Sequence, residues 1–432
     1  MTEAVLQPRS NPMQRVIGIR DFSLLWIGQS TSLLGDQFHA IAGAWLVLKM
    51  TGDPLALGAV MALGGITSAI FTVIGGAITD RISPRRLMLA ADLIRLFFSG
   101  LLAAQVFTGT LEVWMIYVYT LAIGVVSGVF APASMSIAPR LVPADDLQGA
   151  NSLMQGSMQL IRFVGPAVAG ALVAAFPQKS LGVGLALAID ALTFVVSVVT
   201  LWMMKTGGEL AGADKASARE GVWASILGGV RYVIRDPFLR LLFVLLAVAN
   251  FAFGGAIAVG MPFLADTRFV GGAAAYGLII SGYAAGNLVG IILSGAMPKM
   301  SGRMIKLFMI VMFLAFSLGI GLMAWIDVVW LAMLDLFVMG VLNGYLGILL
   351  ITGLQRNTPK EMLGRLMSMV VLASMGLVPL SQAVSGAILR WNVPALFLGA
   401  GGLLLICTAF LATPRVASLL SGHLADSQPE TS

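Results

Sequence analysis

Eight polar side chains sit on two otherwise apolar stretches, at spacings that a helix would gather. Gln29, Ser32, Asp36 and His39 follow one another at intervals of three, four and three, and Asn151, Gln155, Gln159 and Arg162 at four, four and three. Helical geometry puts each set on one stripe, and polar stripes on greasy helices suit the lining of a cavity. At a rise of about 1.5 Å per residue, Asp36 lies roughly 21 Å and Arg162 roughly 16 Å from the ends at which their helices begin, close to one depth. An unpaired charge there is costly, so the two are expected to pair. A carboxylate held by a guanidinium, which a proton or a cationic substrate can claim, is a candidate proton carrier. The competing reading is a permanent structural ion pair. Asp190, in the middle of a later apolar stretch, is the rival carboxylate and an alternative partner for Arg162.

The rest of the inventory is sparse. Asn250, Tyr283, Asn287 and Asn343 are uncharged cavity candidates, with Tyr283 and Asn287 on one helix face. Asp92 and Arg95, three apart, are expected to pair locally or to reach towards the membrane surface. Asp335 is an acid to which no role is assigned. The chain has two histidines, so His39 lacks a companion ligand and no metal site is expected. The single cysteine, Cys407, excludes an internal disulfide or a cysteine-based metal cluster. No cofactor is implied. No nucleophile accompanies Asp36 and His39 in their stretch, which leaves an intramembrane enzyme, like a transporter-fold sensor, a remote reading. The absence of a G-x-x-x-x-G-K-[ST] run argues against direct drive by ATP.

Long apolar elements must carry these groups. Of the 432 residues 58% are hydrophobic and 11% charged, with a mean hydropathy of +0.94, against about 25% charged in a soluble domain. An all-α membrane protein follows. With about 20 apolar residues needed per crossing, spans are predicted near 22–48, 55–79, 87–107, 113–136, 151–176 and 180–204, then 238–264, 273–296, 305–326, 329–353, 362–390 and 394–412. The first span is too long for a signal-peptide core and no small-residue cleavage site closes it, so it is expected to be retained. Twelve spans put both termini on one side. That side receives 20 of the Lys and Arg residues against four, Lys49, Lys179, Arg268 and Arg390, opposite. Cytoplasmic loops carry such an excess, so cytoplasmic termini and a bacterial plasma membrane are expected. The net charge of +6 is then a topology signal, and no nucleic-acid partner is implied.

The predicted organisation is a cytoplasmic tail over 1–21, a six-helix bundle over 22–204, a linker over 205–237, a second bundle over 238–413 and a cytoplasmic tail over 414–432. From Glu220 the linker has apolar residues at helical spacing, which predicts an amphipathic helix at the interface or an extension of the next span. The bundles repeat one another. ALGAVMALGGITSAIFTVIGGA from Ala56 lies over AYGLIISGYAAGNLVGIILSGA from Ala275, matching Gly58 with Gly277 and Gly76 with Gly295. RLVPADDL from Arg140 lies over RNTPKEML from Arg356, and the same offset brings Gly170 onto Gly386.

Two six-helix repeats with a site between them are a transporter plan, and the chain resembles the major facilitator superfamily. In GGAITDRISPRR, at 75–86, Gly76, Asp80, Arg81, Arg85 and Arg86 resemble that superfamily's motif A, with Ser83 in place of a Gly. Gly156, Gly165, Pro166 and Gly170 resemble the antiporter motif C, with Ala169 in place of a Gly. DFSLLWIGQSTSLLGDQF from Asp21 and LQRNTPKEMLGRL from Leu354 are similar to the third drug:proton antiporter family, which includes macrolide-efflux and enterobactin-exporter proteins. The resemblance implies a latch at Asp80 and its arginines that engages helix 11 of the other half in one state only. It also implies a secondary exporter, driven by protons, of a drug-like or siderophore-like molecule, working as a monomer. Proton-antiporting relatives carry an Arg in helix 4, whereas YTLAIGVVSGVFAPAS from Tyr119 has no charge. A lysophospholipid or lipid transporter and an uncoupled facilitator are the alternatives on the same fold.

Overall fold

A computed structural model of the chain describes residues 12–79, 81–176, 179–206, 230–296, 302–358 and 360–413. Asp80, the amphipathic helix expected in the linker and the C-terminal tail fall outside the described residues, apart from a helical stretch over 230–235. Among the described residues there are twelve long helices. The first six are α1 (Arg20–Thr51), α2 (Pro54–Thr79), α3 (Pro84–Thr108), α4 (Val113–Ile137), α5 (Leu147–Ala175) and α6 (Lys179–Met203). In the second half, α7 (Pro237–Gly255) continues as Met261–Thr267, and α8 (Ala273–Ala296), α9 (Gly302–Leu322) and α10 (Val329–Asn357) follow. Next come α11, in two segments Lys360–Met375 and Val378–Trp391, and α12 (Val393–Ala412). Eleven of these are long and apolar enough to cross a membrane. The exception is α1, diluted by the polar stripe that marks it in the sequence.

Local chemistry sets the ends. Prolines open α2, α3 and α7, where a missing N–H costs nothing. Gly52, at φ 63°, closes α1 in the left-handed conformation that glycine adopts without strain. Asp236 caps α7 by accepting from the N–H groups of Phe238 and Leu239 at 2.8 and 3.1 Å, which separates 230–235 from that helix. Ahead of α1, part of the stretch expected to be a free tail is a short helix, Pro12–Ile17. Its Val16 is fully buried and its Arg15 pairs with Asp146 at 2.6 Å. Asp21 accepts from the N–H groups of Lys205 and Thr206, at 3.1 and 2.7 Å, and from the Thr206 hydroxyl, tying the start of α1 to the residues after α6.

Two helices are interrupted together. A π-turn, Ala256–Gly260, lies within α7, and α11 breaks at Gly376 and Leu377 ahead of Pro379, whose ring crowds the carbonyl four residues back and which has no N–H to continue the ladder. The buried Ser381 of α11 joins the two irregularities. Its hydroxyl donates to Phe251 O and accepts from Gly255 N at 2.9 Å, entering the α7 hydrogen-bond ladder where the π-turn starts. A side chain inserted into that ladder is a recognised cause of a bend.

The halves meet at the end of the bundle away from the termini, through α5 against α8 and α2 against α11. Backbones touch there. A Cβ on Gly277 would stand 2.2 Å from Pro166 O and 3.1 Å from the Gly170 Cα; one on Gly386 would stand 2.6 Å from Pro54 O and 3.1 Å from the Gly58 Cα. These are the glycines that the internal repeat matches, now opposed across the interface as two equivalent crossings. Lys49 of α1 pairs with Asp266 at the outer end of α7, and Ala167 N donates to the Ser281 hydroxyl at 2.9 Å.

Overpacking at such a contact costs about 1–3 kcal/mol. Gly277→Ala is therefore expected to lower the thermal midpoint of the purified protein. Gly399→Ala, at a position where a Cβ meets nothing within 4 Å, is expected to leave it unchanged. Loss of the monodisperse gel-filtration peak on heating measures both. Asp21 gives a pH signature. Burial pushes its carboxyl up, but the Thr206 hydroxyl, the two amides and the charge of Arg20 outweigh this and hold it below the ordinary value of 3.8. Stability from a depressed carboxylate is complete above the unfolded value and is lost as pH falls through the folded one. The midpoint of Asp21→Asn should thus lie below wild type at neutral pH, with the gap closing only below pH 3.8.

Candidate functional site

The first half encloses a cluster of charges between α1, α3, α4 and α6. His39 Nδ1 lies 3.1 Å from Asp190 Oδ2, and the same oxygen accepts from the Ser99 hydroxyl at 2.9 Å. Two turns along α3 from Ser99, the fully buried Asp92 accepts from the Ser197 hydroxyl at 2.6 Å and stands 3.8 Å from Arg95. Arg95 donates to Ser127 of α4 at 3.0 Å, and its guanidinium covers the rings of Phe130 and Phe194 at 4.4 and 5.6 Å. Stacking on aromatic faces suits this weakly hydrated cation. One oxygen each of Asp92 and Asp190 and the Nε of Arg95 are buried without a hydrogen-bond partner. Asp36, exposed, stands in the field of Arg95, Asp190 and His39. Three carboxylates thus face one guanidinium and one imidazole.

The second half holds an apolar cavity of about 260 Å³ between α7, α8, α9, α10 and α12. Phe253, Met309, Met312, Phe313 and Phe316 supply much of the wall, and Asn250, Tyr283 and Asn343 the polar points. The Phe253 ring packs on those of Tyr283 and Phe316 at 5.1 and 5.6 Å. A chain of amides runs into this cavity from the other half. Gln159 Nε2 of α5 donates to Asn287 Oδ1 at 3.4 Å, and Asn287 Nδ2 donates to Asn343 Oδ1 at 3.0 Å.

The structure does not bring Asp36 and Arg162 together; both are exposed, and no ion pair joins them among the described residues. Asp190 pairs with His39 rather than with Arg162, because Gly35 and Gly28 let α1 lie directly on α6 at Thr193 and Thr200. Ser32 is buried, and Gln29 has a buried Nε2 without a partner. Gln155 is exposed. Asp92 and Arg95 pair locally, as their spacing predicts, but in the core of the half and not towards its surface. Ser99, Ser127 and Ser197 escaped the sequence reading. The intervals of three and four from Asp92 to Arg95 and Ser99, and from Asp190 to Thr193 and Ser197, are the signal that would have found two of them.

The latch and helix-5 positions have local roles. Arg85 donates from Nε to Leu201 O and from Nη2 to Trp202 O, both at 2.7 Å, capping α6 of its own half. Arg81 and Arg86 are exposed, and Gly76 faces open space. Of the helix-5 positions, Gly165 packs on Gln37 of α1, Pro166 and Gly170 meet Gly277, and Gly156 meets nothing.

Residues 14–430 match the family described as transmembrane secretion effector. Macrolide efflux protein A of Streptococcus pyogenes is 25% identical over 245 residues, covering 53% of this chain and 59% of that protein. Multidrug efflux pump Tap of Mycolicibacterium fortuitum is 28% identical over 237 residues, covering 52% and 55%. The chain thus spans little more than half the length of these two relatives. Enterobactin exporter EntS of Shigella boydii is 25% identical over 353 residues, covering 80% and 79%. Among solved structures, nucleoside transporter NupG superposes with a TM-score of 0.67 at 15% identity, over 90% of this chain and 98% of that one, a likeness of fold. With its two six-helix halves and a match over nearly its whole length, the chain belongs to the transmembrane secretion effector family of the major facilitator superfamily.

Proposed function

We propose that the protein is a proton-coupled exporter of lipophilic or amphipathic small molecules that works by alternating access. The observation that carries this reading is the cluster of Asp36, His39, Asp92, Arg95 and Asp190. Its acids outnumber its bases in a setting where uncompensated charge is expensive, and protons are the counter-charge at hand. Asp36, the exposed member, exchanges them with the space between the halves; His39 stands one helical turn behind it, bonded to Asp190. Similarity to proteins named for macrolide, multidrug and enterobactin efflux supports export and the class of cargo.

The basic residues put both termini in the cytoplasm of a bacterial cell. The state described here is then closed to the outside by the two glycine crossings and the Lys49–Asp266 pair. Cargo enters from the cytoplasm as the cluster gives up its proton, and the halves rock to the outward-open state, where the cluster is reloaded. In that second state the cytoplasmic ends close, and the loop with Gly76, Asp80, Arg81, Arg85 and Arg86 engages the opposite half. Bonds present in one state only are what bias such an equilibrium. One chain supplies the pathway, so the monomer is the working unit.

Inside-out vesicles from an efflux-deficient bacterium test this. On addition of macrolides, lipophilic dyes or catechol siderophores, one class is expected to trigger proton release. Asp190→Asn and Asp36→Asn are each expected to cut that release about tenfold, within the usual coupling range of about 1–3 kcal/mol. Full release in both variants would remove the cluster from the mechanism, and cargo flux without proton movement in wild type would identify a facilitator.

A further inference from the structure

We propose that the cavity in the second half is the seat of the cargo's uncharged apolar portion, and that it selects ring systems bearing a carbonyl or ether oxygen over lipophilic cations. The inference rests on the export reading and adds to it the chemistry of the cargo. The wall holds no carboxylate and no base. The carboxylates of the first half belong to α1, α3 and α6, none of which lines the cavity. A cation seated here would lose its hydration without gaining a counter-charge, whereas an apolar ring system loses nothing.

The direction of the amide chain narrows the class. Gln159 gives its N–H to Asn287, and Asn287 gives its own to Asn343, so the carbonyl oxygens of Asn287 and Asn343 are both engaged as acceptors. What the chain leaves at the cavity is the Asn343 Nδ2, a donor without a partner among the described residues. Asn250 is set the other way. Its Nδ2 donates to Leu246 O at 2.8 Å, and its Oδ1 has no partner among the described residues. The cavity therefore offers a neutral donor at Asn343 and a neutral acceptor at Asn250, with Tyr283 also in its wall. A ligand carbonyl or ether oxygen meets the first, and a ligand hydroxyl the second. Phe253, Phe313 and Phe316 give flat surfaces for fused rings, and Met309 and Met312 give the compliance that admits several shapes. At about 260 Å³ the cavity falls below the roughly 300–1,000 Å³ of whole-ligand sites. It takes part of a drug-sized molecule and leaves any charged group in the space between the halves.

Gly347 lines the cavity and has open space where a Cβ would stand, so the Cβ of a cysteine enters there without displacing a neighbour. In the Cys407→Ser, Gly347→Cys chain, held in nanodiscs of phosphatidylethanolamine and phosphatidylglycerol, the rate of N-ethylmaleimide labelling reports occupancy. Nile red is an uncharged fused-ring ketone. At ten times its Kd it is expected to slow labelling about tenfold, following 1 + [L]/Kd. Tetraphenylphosphonium at the same concentration is expected to leave the rate unchanged. Asn343→Asp, which replaces the donor with an anion, is expected to reverse that preference, and Asn343→Gln to keep it, each variant being first shown monodisperse by gel filtration. Equal protection by both probes, or by neither, overturns the proposal. Protection by lysophosphatidylcholine alone overturns it in favour of a lipid-chain site. Proton release by vesicles of the same variants separates the two readings: cargo-coupled release without protection leaves export standing and removes the cavity assignment, and protection without release does the reverse.

Discussion

Two places where backbone touches backbone govern the arrangement of everything else. Gly58 against Gly386 and Gly170 against Gly277 let α2 cross α11 and α5 cross α8 with no side chain between them. Helices in lipid gain nothing from mutual hydrophobicity and associate through such close approach. The two crossings are equivalents under the internal repeat, so they lie on opposite sides of the molecule's centre and at the same end. In the alternating-access reading proposed above, this is the end whose contacts close the described state.

The division of chemistry follows the two halves. Each half keeps its own costly groups. The buried charges of the first half are gathered within α1, α3, α4 and α6, and Arg95 places against α4 the guanidinium that α4 itself lacks. The second half keeps an apolar cavity with neutral amides. It also carries its own point of flexure, where the Ser381 hydroxyl stands in for a lost α7 bond and ties the π-turn to the break in α11. A bend in one of these helices is therefore communicated to the other.

Much of this could be read in the chain, for physical reasons. Span length, hydropathy and basic asymmetry are one-dimensional properties imposed by the bilayer, so the twelve helices and the repeat are plain in the sequence. Asn250, Tyr283 and Asn343 stand out in the sequence because an uncharged polar side chain on an apolar helix has few other uses, and the three lie on the wall of one cavity of the second half. Depth was less informative. Asp36 and Arg162 share a level, but depth leaves the angle about each helix axis open, and the contact of α1 with α6 at Gly28 and Gly35 turned His39 to Asp190. The break in α11 was similarly hidden, since Pro379 and Gly376 also occur in unbroken spans, and the partner that stabilises the break, Phe251, is remote in sequence.

Among the described residues the polar contacts between the halves are of the weak kinds, as the proposed alternation of states requires. A bond that is broken in every cycle cannot be worth more than the few kcal/mol that separate the two states. The contact that joins the cavity to the first half is a neutral amide pair at 3.4 Å, Gln159 to Asn287, and a neutral hydrogen bond contributes about 0.5–1.5 kcal/mol net. The ion pair across the interface, Lys49 with Asp266, stands at the rim, where both side chains retain access to water, and exposed pairs are worth about 0–1 kcal/mol. The short, charged bonds, Ser197 to Asp92 at 2.6 Å and Ser99 to Asp190 at 2.9 Å, lie inside one half, where rocking leaves them intact. Strong interactions therefore define the rigid bodies and weak ones define the hinge between them. A charged pair of Asp36 with Arg162 would have added a third strong link within the first half; among the described residues no ion pair holds the exposed Asp36.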